Sequence, residues 1–181
     1  MFQLSHRVRL GTAAVVLIGV LATGGTALAL NSSHSNVVAK TVYPACAASG
    51  VVNWLDTAGN GAAGSSYYHL KFTNLSGHTC TMNGYPGVSG VNLAGGQLGS
   101  AASRSTASHH SLTLANGVTV SAVLRIVDAG NFQSSSCHVT TAAGLRVYAP
   151  NQTVAKIIPY PFSACSKSGP IYLSVGPVTN P

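Results

Sequence analysis

At 181 residues the chain has room for a leader and one domain with a sizeable core, but not for two such domains. Hydrophobic residues make up 46% of it and charged residues 6%, which excludes a disordered polyelectrolyte. Nine Lys and Arg stand against two acids, Asp56 and Asp128; the balance favours anionic company and leaves carboxylate-based catalysis short of groups.

The chain opens on His6, Arg7 and Arg9, continues through the apolar run Leu10 to Ala22, and reaches the small-x-small triplet Ala27-Leu28-Ala29. That order is read by a signal peptidase, so residues 1–29 are expected to be a cleaved signal peptide. Val8 separates the two arginines, which excludes a twin-arginine signal, and no cysteine precedes Cys46 to accept a lipid. Leu10 to Leu30 carries no charge, so the alternative is an uncleaved single-pass anchor; Gly19, Gly24 and Gly25 near the cut favour cleavage. Either way the folded part lies outside the cytoplasm, secreted or associated with the cell envelope. Without Arg7 and Arg9, seven bases face two acids, and they are scattered rather than bunched beside aromatics. That pattern does not make a specific nucleic-acid surface.

Residues 30–44 show no apolar period and read as a flexible tether, leaving residues 45–181 as one domain. Val51 to Leu55 reads as its first strand, ended by Asp56-Thr57-Ala58-Gly59. Gly59 to Gly64 satisfies GxGxxG, but no helix opens behind it, so the stretch is expected to be a glycine loop and not a dinucleotide site. Tyr68, Leu70 and Phe72 then alternate with Tyr67, His69, Lys71 and Thr73, the period of a strand with one buried face. Asn83 to Gly87 and Gly95-Gly96 are turns, and Leu98 to Ser108 is a loose Ser/Ala run. Leu112 and Leu114 precede Asn116-Gly117, a hairpin dipeptide, and the returning strand would bury Val118, Val120, Ala122, Leu124 and Ile126. Leu145 and Val147 mark another strand, Pro150-Asn151 a turn, and Val154 to Tyr160 its return, with Pro159 and Pro161 at an edge or bulge. Ile171, Leu173 and Val175 form the last strand.

No amphipathic helix is evident after the leader, and seven to nine short strands predict an all-β fold, an immunoglobulin-like antiparallel β-sandwich. The likeness is of architecture only, because Trp54 precedes Cys80 rather than lying between bridged cysteines. Four cysteines in an exported chain imply two disulfides with three possible pairings. Joining distant strand ends favours Cys80 with Cys137 and Cys46 with Cys165.

The sharpest chemical site that can be built uses His78 and His138 as metal ligands: a Cys80–Cys137 bridge would start both imidazoles from neighbouring backbone, with His69 as a third candidate. The competing reading is surface histidines flanking disulfides, and His109-His110 lie in the Ser/Ala loop. A Cys2His2 set of His78, Cys80, Cys137 and His138 would need free thiols, which export opposes. Asp56 and Asp128 end separate strands, and Ser89 lacks the final glycine of a nucleophile elbow, so no catalytic residue and no cofactor is assigned. Tyr85, Tyr148, Tyr160 and Phe162 make either a ligand-facing edge or a lid over the core. Asn31, Asn74 and Asn151 match the Asn-x-Ser/Thr acceptor, which matters only in a glycosylating host.

The blocks YYHLKFTNLSGHTCTMNGYPGV from Tyr67, LRIVDAGN from Leu124, GLRVYAP from Gly144 and LSVGPV from Leu173 together resemble the exported actinobacterial family catalogued as domain of unknown function 4232. Many members of that family look like lipoproteins; this chain departs from them in lacking the lipid-accepting cysteine. The resemblance implies no reaction, cofactor or site residue. The functional expectation is an exported, non-catalytic module that binds or organises an anionic polymer or a protein partner at the cell envelope, with membrane contact only if the leader is retained. The alternative is a metal-binding or hydrolytic accessory enzyme using His78 and His138.

Overall fold

Strands dominate because apolar residues recur every second position over most of the domain, a period that buries one face of a ribbon and wets the other. The computed structural model describes residues 41–181; the expected signal peptide and all but the last residues of the expected tether lie outside them. In chain order the strands are β1 (Val51–Ala62), β2 (Ser65–Asn74), β3 (Cys80–Met82), β4 (Gly87–Val91), β5 (Gln97–Leu98), β6 (Ser103–Arg104), β7 (Leu112–Leu114), β8 (Thr119–Val127), β9 (Val139–Tyr148), β10 (Ala155–Cys165) and β11 (Leu173–Val175). One helical turn, α1 (Ser134–Cys137), precedes β9.

Sheet order is β1-β2-β8-β11-β6 in one layer, β10-β9-β4-β5 in the other, with β3-β7 as a separate ribbon. Pairing is antiparallel except for the short β11–β6 contact. This is the expected antiparallel β-sandwich with two disulfides. Its core takes Leu70 and Phe72 from β2, Val120, Ala122, Leu124 and Ile126 from β8, and Leu145 and Val147 from β9, all buried as their alternation required. No helix among the described residues is long and apolar enough to cross a membrane.

Besides Val118, expected to be buried but exposed because it precedes β8 in the turn, four details depart from the sequence expectations. β1 does not stop at Leu55: after a bulge between Asp56 and Asn60 it runs through the glycine stretch to Ala62. Ala63 (φ 45°) and Gly64 (φ 71°) then form the two-residue loop of a hairpin, so GxGxxG is strand and turn. The turn at Asn116-Gly117 does not make a hairpin: β7 pairs with β3 and β8 with β2, and the turn carries the chain from the ribbon to the large sheet. At the last strand Ile171 is exposed and Tyr172 is buried, because the tyrosine hydroxyl finds a buried acceptor in Leu98 O at 2.6 Å.

The fourth departure is the disulfide pairing. Cys46 is joined to Cys80 and Cys137 to Cys165, not Cys80 to Cys137 and Cys46 to Cys165. Both bridges are local consequences of backbone pairing. Cys46 N donates to Thr81 O and Thr81 N to Pro44 O, at 2.9 and 2.8 Å, which lays the segment before β1 alongside β3. In the β9–β10 hairpin Cys165 stands opposite Val139, two residues after Cys137, and Lys167 N donates to Cys137 O at 3.1 Å. The proline expectation is met: β10 is an edge strand whose register shifts between Pro159 and Phe162.

Candidate functional site

The bulge in β10 rotates Tyr160 and Phe162 toward the end of the sandwich where the two layers part, and the long β1–β2 hairpin forms the opposite wall. Between them lies a cleft of about 520 Å³, within the ordinary range for small-ligand sites. Three rings line it. Tyr68 and Tyr160 meet at 5.3 Å between centroids with planes inclined by 67°, and Phe162 lies 6.2 Å from Tyr160. Phe162 continues the row inward to the buried Tyr172 at 6.4 Å. Burial first, then the Tyr68 hydroxyl, push the Tyr160 phenol up to about 12, so this ring stays neutral at any physiological pH.

The polar wall comes from Ser65, Ser66, Ser163 and Asp128. Its rim is tied at one atom: Gly64 O accepts from Asp128 N and from Asn131 Nδ2, both at 2.9 Å. Asp128 Oδ1 in turn accepts from Gly130 N at 2.9 Å, and the residue is exposed at the rim. Gly64 is needed at the tip for its left-handed φ, and at Gly59 a Cβ would overlap the Tyr68 ring, so the sequence admits the aromatic wall only where a side chain is missing. Lys and Arg are absent from the lining.

A second groove, of about 400 Å³, lies on the outer face of the five-stranded sheet past Tyr67, Val123, Arg125 and Pro177. Arg125 donates its Nε to Ser65 Oγ at 3.0 Å. The other cations are also engaged within the chain. Lys71 pairs with Asp56 at 2.8 Å and lies over the half-exposed Trp54, Arg104 stacks on Tyr85, and Arg146, Lys156 and Lys167 donate to the carbonyls of Gly95, Val51 and Ser135. The hydrogen bond from Lys71 holds the Asp56 carboxyl below its usual range, helped by Ala58 N.

The residues singled out in the sequence fall apart into separate places. His78 flanks the Cys46–Cys80 bridge and its Nδ1 lies 3.1 Å from Ser76 O, whereas His138 caps α1 beside the Cys137–Cys165 bridge with φ 48°. The bridge that would have set these two imidazoles side by side is not formed. His69 is exposed on the outer face of β2, and His109 bonds Asn83 Oδ1 at 2.7 Å and packs on Tyr85. Among the described residues no three His, Cys, Asp or Glu side chains gather as a metal ion would require. Asp56 and Asp128 are committed to Lys71 and to Gly130 N, and Ser89 is buried in β4.

Of the acceptor asparagines, Asn31 lies outside the described residues and Asn151 bonds Asn83 O at 3.0 Å. Asn74 is fully buried: its Nδ2 donates to His78 O and Leu114 O and its Oδ1 accepts from Ser76, which makes it a structural knot rather than a glycan site. Of the aromatics read from sequence as either a ligand-facing edge or, for most of them, a lid over the core, Tyr160 and Phe162 line the cleft. Tyr68 joined it unforeseen, since the period of β2 assigned it only to a buried face. The hydroxyl of Tyr172 carried no local signal.

No match was found among curated proteins or among solved structures. Residues 46–179, which include both disulfides and both walls of the cleft, match the family model described as Domain of unknown function (DUF4232), and the chain therefore belongs to that family.

Proposed function

We propose that this protein is an extracytoplasmic, non-catalytic binding module of the cell envelope that holds its ligand in the cleft between the β1–β2 hairpin and β10. The observation that carries this reading is the construction of the cleft: aromatic walls and hydroxyls on rigid strands, with a rim pinned through Gly64 O before any ligand arrives. Preorganisation of this kind lowers the entropic cost of binding. Two disulfides on four cysteines support an oxidising compartment. Asp56 is paired with Lys71, which leaves the cleft with the single carboxylate of Asp128 and supports binding over acid–base catalysis by a carboxylate pair.

Thermal unfolding in fractionated envelope extract tests this directly, because a ligand of the native state raises the midpoint as its concentration exceeds Kd. At least one fraction is expected to stabilise the native protein and to leave Tyr160→Leu unmoved. Equal shifts in both proteins, or none in either, refute the assignment. N-terminal sequencing of the exported protein tests its location: a start at Leu30 is expected, and a start at Met1 means that the leader is kept.

A further inference from the structure

We infer that the cleft is a site for a small organic cation, a primary or quaternary ammonium group caged by Tyr68, Tyr160 and Phe162 and paired with Asp128. This deepens the proposed function and rests on the cleft being the binding site.

The charge pattern is the first reason. The chain has two carboxylates; Asp56 is neutralised by Lys71 at 2.8 Å, and Asp128 has no ion-pair partner among the described residues. In a protein with net charge +7, the one unneutralised carboxylate of the folded domain stands at the wall of its aromatic cleft. No Lys or Arg lines that cleft. Arg125, next to Ile126 in β8, is not part of the lining, although its Nε donates at 3.0 Å to the hydroxyl of Ser65, a residue of the polar wall. An anion would find no donor cation here, and burial of its charge would go uncompensated. The positive charge elsewhere does not forbid a cation, since at physiological salt it is screened beyond roughly 8 Å.

Ring geometry is the second reason. Tyr68 and Tyr160, inclined by 67°, form adjoining walls rather than a flat stack, and Phe162 extends the second wall. With centroids 5.3 and 6.2 Å apart, one ammonium group can lie within the roughly 6 Å range of cation–π attraction to more than one ring. The ring faces supply the attraction and Asp128 the full negative charge.

Titration of the purified full-length protein with choline chloride and with n-butylammonium chloride, at ionic strength held constant with NaCl, tests the inference. The readouts are calorimetric heat and the NMR shifts of the tyrosine ring signals. The control ligand is 3,3-dimethylbutan-1-ol, the uncharged isostere of choline. At least one ammonium salt is expected to bind saturably and to shift the Tyr68 and Tyr160 rings, with the alcohol about tenfold weaker or more, the scale of one good cation–π contact in a desolvated site. Asp128→Asn, which keeps the acceptor for Gly130 N, is expected to weaken binding about five- to tenfold, and Tyr160→Leu to abolish the ring shifts. Equal binding of alcohol and choline, full affinity in Asp128→Asn, or no binding of either ammonium salt overturns it. If the salts fail while an envelope fraction still stabilises native protein and not Tyr160→Leu, the ligand class falls and the cleft assignment stands; if both fail, both fall.

Discussion

Single residues decide how much of this fold is held by polar contacts in place of charge. Asn74 is the clearest case: one buried amide closes four side-chain hydrogen bonds at 2.7 to 3.0 Å, and its backbone also receives Gly117 N and donates to Val118 O. These bonds join the end of β2 to the loop before β3, to β7 and to the turn before β8. Asn74→Ala takes the side-chain donor from the buried Leu114 O, leaves His78 O with the Ser76 hydroxyl alone and removes the acceptor of Ser76, and an unmet buried partner costs about 1 to 3 kcal/mol. A loss of about 3 kcal/mol is therefore expected in urea unfolding. Asn74→Asp is expected to be at least as damaging, because a carboxylate retains the acceptor for Ser76 but cannot donate. The sequence marked this residue as an Asn-x-Ser/Thr acceptor at the end of its strand, since a buried amide and an exposed turn amide have the same letter.

At the scale of elements, long hairpins do the organising and the disulfides follow them. The β9–β10 hairpin brings its own ends together, and Cys137–Cys165 locks that open end; Cys46–Cys80 staples the segment before β1 to β3. The sequence separations of 28 and 34 give each bridge about 3.5 to 4 kcal/mol on the chain-entropy model. Peptide mapping under non-reducing conditions is expected to recover these two pairs. The double variant Cys137→Ser/Cys165→Ser is expected to unfold at lower urea by about that free energy while keeping a strand-dominated circular dichroism spectrum. Strand existence was legible here because alternation is a local property. Strand partners were not: Asn116-Gly117 has the chemistry of a hairpin turn, yet β7 and β8 enter different sheets. A turn bends the chain; which sheet has an open edge for the next strand is settled by packing.

For the molecule as a whole, scarcity of charge shapes the pH response. With one ion pair among the described residues, and that one partly exposed, acid contributes little through salt bridges, and Asp56 is a minor part of the stability. The alkaline side is different. Tyr172 is buried and its phenol is raised to about 12 by that burial, as Tyr160 is, against an ordinary value near 10. A raised value in the folded state means that the unfolded chain loses its proton first. Stability is thus intact below about pH 10 and falls as pH rises from there through about 12. Urea midpoints measured from pH 8 to 12 are expected to stay level and then drop. Tyr172→Phe is expected to start lower at pH 8, having lost the bond to Leu98 O, and to drop less steeply.

Composition and period alone determined that the chain folds and that it does so as antiparallel strands around one core; these are sums or repeats, readable without knowing what lies opposite. Tertiary structure alone decided which cysteines meet, that the two conspicuous histidines flank different bridges, and that Tyr68, Tyr160, Phe162 and Asp128, drawn from two strands and a turn, share one cleft. Contacts between distant residues depend on a one-residue slip in β10, which Pro159 and Pro161 announced, and on sheet order, which leaves no mark on the sequence until the layers are packed.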